Sequence, residues 1–270
     1  MTLAVITFSL EGLHIARRLA AALGGADLYA HQDLPVADVS AAGGTSANPA
    51  KPFARVVDLT AEIFGRYRGL IYIAPTGLVV RAIAPHLKHK TTDPAVVVVD
   101  VLGRWAISLL SGHEGGANEL ALRVANVLGA EPIITTTTEA AKDLIIGVGC
   151  RRGTAAEEIV AAVTAALAAI GQDLCRVRLL ASADIKADEP GLLQAAQTLG
   201  VGLRFIPSAE IRACTLNFAR SKFVQEKVNL PAVAEPCALL AGRRTKLLLP
   251  KQTSPRVTVA IAQESFTLSE

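Results

Sequence analysis

The chain has 270 residues, 51% of them hydrophobic and 4% aromatic, and its 27 Lys and Arg against 24 Asp and Glu give a formal net charge of +3. This composition excludes a disordered chain, and no Lys/Arg run with interleaved aromatics marks a nucleic-acid surface. The length allows two compact α/β domains with a core each, and so mild a charge suits a small or medium anionic ligand.

Strand and helix signals alternate in chain order. The apolar run 3–8, without a basic leader, predicts a first strand rather than a signal peptide. Helical spacing over 13–23 ends at Gly24-Gly25, and 26–30 is a second short strand. Residues 39–52, rich in Ala, Gly, Ser, Asn and Pro, predict a loop. A short helix over 60–67 leads into a strand over 70–74. PTGLVVRAIAP then turns into a helix that Pro85 bends or stops. AVVVVD (95–100) is a buried-strand pattern; Leu102, Gly103 and Arg104 turn the chain, and 105–110 returns as another strand. Ala117, Leu120, Ala121, Val124, Ala125 and Leu128 make one apolar helical stripe closed by Gly129, and 132–135 is the next strand. The polar run TTTTEAAKD marks a boundary, giving domains 1–140 and 141–270.

The second half restarts the rhythm. A strand over 144–148 meets the turn GCRRG. Thr154 and Glu157 form a T-x-x-E capping box opening a long helix that Gly171 ends. Its Ala-rich stretch is too short to span a bilayer. Strands over 176–181 and 203–206 flank a helix over 189–199 stopped by Gly200. Two helical patches surround Pro231 and Pro236, and 246–249 and 256–262 alternate like a hairpin. The expected class is α/β: two domains with mostly parallel sheets, right-handed crossovers and glycine-rich strand-to-helix turns. Ligands sit at the carboxyl ends of strands in such sheets, where both glycine-rich turns are expected. Cys150, Cys175, Cys214 and Cys237 are scattered without a CxxC pair, which points to reduced thiols in a cytoplasm and to no zinc site.

Four segments carry candidate chemistry. In SGHEGGANELA, Gly112, Gly115 and Gly116 let a ligand approach the backbone, and the helix start at Ala117 offers amides to an anion or oxyanion. His113 can move a proton near neutral pH, and Glu119 or Asn118 can orient it. The competing reading is a solvated turn with Glu119 paired to Arg123. HExxH fails because position 117 is Ala, and no GxSxG is present. GVGCRRGT is a strand–glycine–helix junction, but Gly153 falls one residue too late for GxGxxG. It is an anion site through Arg151 or Arg152, or a tight turn with solvated arginines. RAIAPHLKHKTTD (81–93) is dense in His and Lys, or simply an exposed helix end. In SADIKADE, Lys186 and Glu189 face a ligand, or Asp188 caps the next helix.

Together these segments resemble the cobalt-precorrin-5A hydrolase family of anaerobic cobalamin biosynthesis. The matching runs are GLVVRAIAPHLKHKTTDPAVVVVDVLGRWAISLLSGHEGGANELALRVANVLGAEPIITT, IIGVGCRRGTAAEEI, LLASADIKADEPGLLQAAQTLG and VAEPCALLAG, followed by a Lys-bearing strand and VTVAIA. SGHxGGANELA and GxGCRRGT in this order are specific; the first seventy or so residues match only vaguely. Members of the family carry an extra segment between the two halves, which is reduced here to 137–143.

The resemblance implies a cobalt-bearing, ring-contracted tetrapyrrole whose ring-A acetate closes a δ-lactone onto the methylated C20 carbon. Water opens the lactone and the C20 unit leaves as acetaldehyde, giving cobalt-precorrin-5B. Cobalt arrives with the substrate, so no metal or other cofactor of the protein's own is expected. Neither nucleic acid nor membrane is an expected partner; neighbouring enzymes of the pathway are. On this reading His113 and Glu119 are the catalytic candidates. Arg81, Lys90, Arg151 and Lys186 bind substrate carboxylates, and Ser111, Gly112, Gly115, Gly116, Asn118, Gly149 and Glu189 complete the substrate site. The alternative is a carrier for cobalt-corrinoid intermediates, which turnover with aldehyde detection separates. A nucleotide-dependent enzyme ranks last, because no acidic residue ends a second strand about 20 residues beyond the glycines.

Overall fold

A computed structural model describes residues 2–35 and 49–265. The chain divides into two units, Met1–Thr136 and Thr137–Glu270. The first unit has strands β1 (Leu3–Thr7), β2 (Asp27–His31), β3 (Lys51–Phe53), β4 (Gly69–Ile73), β5 (Ala95–Val99), β6 (Trp105–Leu110) and β7 (Glu131–Ile133). Its helices are α1 (Leu10–Ala22), α2 (Val56–Ile63), α3 (Thr76–Ile83) and α4 (Ala117–Leu128). The sheet order is β3-β2-β1-β4-β5-β6-β7.

The central strands LAVIT, GLIYI and AVVVV are buried at every position. They are apolar on both faces because helices cover both faces. Leu13, Leu19, Leu120 and Val124 of α1 and α4 pack on one side, and Leu59, Ile63, Val79 and Ile83 of α2 and α3 on the other. Each such fully buried side chain is worth about 1.5–3 kcal/mol. The sequence expectation of a loop over 39–52 lies mostly outside the described residues, and its end is corrected: Lys51 and Pro52 belong to β3, paired parallel to β2.

All pairs of this sheet are parallel except β5 with β6. The connection there is too short for a crossover. Asp100 closes it as a hairpin, its Oδ1 accepting from the amides of Arg104 at 2.6 Å and Trp105 at 2.9 Å. β6 and β7 therefore run against the rest of the sheet.

The second unit contains α5 (Thr137–Ala140), β8 (Leu144–Cys150), α6 (Ala156–Ala169), β9 (Val177–Ala183), α7 (Pro190–Leu199) and β10 (Gly202–Ile206). It continues with α8 (Ser208–Ala213), α9 (Lys222–Val228), α10 (Ala234–Leu240), β11 (Thr245–Thr253) and β12 (Val257–Glu264). The order is β10-β9-β8-β12-β11, with β8, β9 and β10 parallel and the hairpin β11–β12 added antiparallel beside β8. Ile159, Val163 and Leu192 of α6 and α7 cover one face, and Cys237 and Ala241 pack on the other. Only half of the expected capping box forms, and one residue later than its sequence signature. Glu158 accepts from the Ala155 amide at 3.3 Å, while Thr154 Oγ1 turns back to donate to the Arg151 carbonyl at 2.7 Å.

The start of β8 is tied by an ionic knot. Arg176 donates through Nε to Asp143 Oδ1 at 3.0 Å and through Nη2 to Oδ2, and Gln263 Nε2 adds a third bond at 2.8 Å. Burial alone would raise the Asp143 carboxyl; the Arg176 and Gln263 hydrogen bonds outweigh it and hold the group below its ordinary value. A carboxyl depressed on folding contributes stability above its unfolded pKa and loses it as pH falls through the folded value. Asp143→Asn should thus cost about 1–3 kcal/mol at neutral pH. In urea titrations across pH, the gap from the natural chain should close below about pH 4, near the ordinary aspartate value. A pH-independent gap would exclude the charge as its cause.

Candidate functional site

The loop joining β6 to α4, residues 111–116, reads SGHEGG. Since β6 is reversed, this loop lies at the edge where β1, β4 and β5 begin. That corrects the sequence expectation: the turn is at the carboxyl ends of β6 and β7 but at the amino ends of the other strands. The lead-in to β5 meets it there. Lys90 Nζ reaches Glu114 Oε1 at 2.5 Å, and the Asp93 carboxylate, which holds the Lys88 amide at 3.0 Å, fixes the lead-in itself. The Lys90 hydrogen bond keeps the Glu114 carboxyl below its ordinary value.

The loop is shaped by close approach. A Cβ on Gly115 would overlap the Ser111 side chain, and Gly116 takes the left-handed conformation at φ +85°. Ser111 is itself at φ 58°, a conformation that strains a non-glycine residue. Its buried hydroxyl has no hydrogen-bond partner among the described residues. The Ala117 amide donates to the Ser111 carbonyl at 3.2 Å and the Asn118 amide to the Gly112 carbonyl at 2.9 Å. Ala117 is therefore withdrawn as an oxyanion donor. The amides of Gly115 and Gly116 donate to no protein acceptor among the described residues.

The expected orientation of His113 by Glu119 or Asn118 is also corrected. Asn118 is buried and uses both ends of its amide, accepting from Ser108 Oγ at 2.8 Å and donating to Thr136 Oγ1 at 2.9 Å. His113 and Glu119 are both exposed, and no hydrogen bond or ion pair joins them. Arg81 makes no hydrogen bond or ion pair with this loop. Its Nη1 donates to the Gly77 carbonyl at 3.2 Å, toward the start of α3.

In the second unit the turn after β8 and the segment 184–189 after β9 do lie together at the carboxyl ends of parallel strands. They border a cleft of about 780 Å³, completed by α9, the start of α10 and the β11–β12 turn. Gly149, Arg151 and Lys186 line it as expected from the sequence, with Lys227, Lys251 and Arg256 beside them. Apolar wall is supplied by Ile185, Val224 and Val233. Burial pushes the Cys150 thiol in this wall above its ordinary value, outweighing the nearby Lys186 ammonium.

Glu189 proves to be a brace and not a surface group. It is 2% exposed, accepts from the Gly153 amide at 2.8 Å and lies 3.4 Å from Lys186 Nζ. Asp188 does not cap α7; it pairs with Arg152 at 3.0 Å. Arg256 Nη2 donates to the carbonyls of Arg152 at 3.0 Å and Gly153 at 2.8 Å. Buried Glu235 holds the Ala219 amide at 2.6 Å and the Lys251 amide at 2.9 Å. Lys227, Lys251 and Arg256 carry no motif, and it is long-range pairing, of Val257 with Cys150 and of Arg256 with the turn itself, that brings the hairpin turn to the GCRRG loop. Among the described residues no group of three or more His, Cys, Asp or Glu is placed to hold a metal ion. No helix there is long and apolar enough to cross a membrane.

The family model for the cobalamin synthesis G N-terminal region matches residues 58–139, and that for the cobalamin synthesis G C-terminus matches 144–262. This chain belongs to the cobalamin synthesis G family. SGHEGG falls in the N-terminal match, and the whole cleft wall falls in the C-terminal one. The cobalt-precorrin-5A hydrolase of Priestia megaterium is 27% identical over 357 residues, covering 96% of this chain and 94% of that protein. That alignment is longer than this chain, so the relative carries residues without a counterpart here. The cobalt-precorrin-5A hydrolase of Salmonella typhimurium is 53% identical over 78 residues, 29% of this chain and 22% of that protein. Protein CobE of a Sinorhizobium species is 39% identical over 128 residues, 47% of this chain and 83% of that protein. Within the family the two matched regions abut here almost directly.

Proposed function

We propose that this member of the cobalamin synthesis G family is a cobalt-precorrin-5A hydrolase. The observation that carries the reading is the match, over nearly the full length of both chains, to a relative of that name. Water adds to the lactone carbonyl and the ring C–O bond breaks, with a proton passing to the departing oxygen. The freed C20 hydroxyl then gives up its proton and becomes the carbonyl of acetaldehyde as the bond from C20 to the macrocycle breaks; the electron pair of that bond stays with the macrocycle, which takes up a proton. Cobalt stays in the macrocycle throughout, as part of the substrate.

The site residues support this chemistry in two ways. His113 is exposed beside the unused amides of Gly115 and Gly116, a base or acid next to donors suited to a tetrahedral oxyanion. The second unit's cleft pairs cationic side chains with apolar wall, which fits an apolar ring carrying carboxylate arms. Purified protein incubated anaerobically with the lactone intermediate should yield one acetaldehyde per product, with the matching mass loss. Binding without aldehyde would leave only a carrier, the reading that the full-length hydrolase relative disfavours.

A further inference from the structure

We infer that Arg151, Lys227 and Lys251 hold the carboxylates of the ligand in the second unit's cleft, while Arg152, Lys186 and Arg256 are its frame. The assignment rests on the hydrolase reading for the kind of ligand, a polycarboxylate cobalt tetrapyrrole. What separates the two groups is their partners. Arg152 is bound by Asp188 and the Ile185 carbonyl. Lys186 is matched by buried Glu189. Arg256 spends its Nη2 on two carbonyls of the GCRRG turn, and its Nε faces Glu158 at 4.0 Å. These groups knit the turn to its neighbours and have their charge or donors committed.

The side chains of Arg151, Lys227 and Lys251 make no hydrogen bond or ion pair among the described residues. They come from three different elements: the turn after β8, the last turn of α9, and β11. Lys251 is additionally stationed by the bond from its amide to buried Glu235. The Glu235 carboxylate is thereby spent on two backbone amides rather than on the cleft's cations. Three uncompensated cations around one apolar-walled cleft repel one another. A ligand with several carboxylates relieves that repulsion and is gripped at several points, whereas a neutral macrocycle of equal size gains only the wall.

Cobyrinic acid, a ring-contracted cobalt corrinoid with seven free carboxylates, and its neutral heptamethyl ester are the probes for equilibrium dialysis against the full chain. The acid should bind at least about 10-fold tighter than the ester. Arg151→Gln, Lys227→Gln and Lys251→Gln should each weaken the acid by about 3–10-fold, the worth of one partly screened charge contact. Ester binding should not move, and the differences should shrink in high salt. Lys246→Gln, on the same strand but outside the cleft, should match the natural chain, and melting curves should show all variants folded. Acid binding no tighter than ester, or three variants with unchanged acid affinity, would overturn the assignment. Aldehyde release alongside that second result would leave the hydrolase reading standing. The expected affinity pattern without aldehyde would retain the cation assignment and remove the hydrolysis.

Discussion

Replacing His113 with alanine should lower aldehyde release by about 10²–10⁴-fold, the usual worth of a general acid–base group, with substrate affinity kept. Three features of the β6–α4 loop support so large an effect. The imidazole is exposed and unbonded, free to reach a ligand. The Gly115 and Gly116 amides beside it remain available when the side chain is removed, so binding and part of the rate over water should survive. Glu114, next in sequence, is taken by Lys90, so the neighbouring carboxylate leaves the imidazole unengaged. Single-turnover aldehyde release and a separate binding measurement divide the outcomes. Loss of affinity with an unchanged chemical step would make His113 a binding group. Full turnover would make it a solvated turn residue, and Glu119, exposed in the first turn of α4, would be the next group to replace.

How far the site can be read from the sequence depends on which physical signal each part carries. AVVVV and GLIYI announce buried parallel strands, because a sheet covered on both faces needs apolar residues at every position. The return of the chain at Gly103 is also legible, since the segment between β5 and β6 is too short to cross over. Its consequence requires the sheet order: only when β6 is seen paired antiparallel to β5 does SGHEGG move to the opposite edge from the β1 and β4 ends. The capping box shows a register limit: Thr154 and Glu157 fit the pattern, yet Thr154 Oγ1 is spent on the Arg151 carbonyl and Glu158 takes the Ala155 amide instead, a choice that only the fold of the turn decides. Cations brought to the cleft by the hairpin turn and by α9 have no local pattern, and the turn that they stand beside lies far along the chain. Arg256 bonds carbonyls more than a hundred positions earlier. Glycines mislead most, because a backbone kept bare for a phosphate and one kept bare for a helix look alike in sequence.

Gly147 decides that last ambiguity, and its replacement should have a large effect on the stability of the second unit. In GVGCRRG it resembles the opening of a dinucleotide turn, yet it lies within β8, facing the start of α10. A Cβ there would overlap the Ala234 carbonyl oxygen and stand 2.9 Å from the Ala238 amide nitrogen. Both are backbone atoms, so no side-chain rotation relieves the clash; α10 must lift from the sheet. That would open the packing of Cys237 and Ala241 on the β8–β9 face and displace Val233 and Ala234 from the cleft wall. Gly147→Ala should cost about 3 kcal/mol, the upper part of the overpacking range, and lower the melting temperature of this unit by roughly 10 °C. Gly149→Ala, two residues on, is the matched control: its Cβ would meet the Val233 side chain at 3.4 Å, near ordinary contact, and should cost little. Denaturant titrations of the two variants separate the readings. Equal stability would mean that α10 does not need the bare backbone at Gly147. A large loss at Gly147 alone identifies the motif's first glycine as a seat for a helix, with the ligand's anions left to the side chains of the turn that follows.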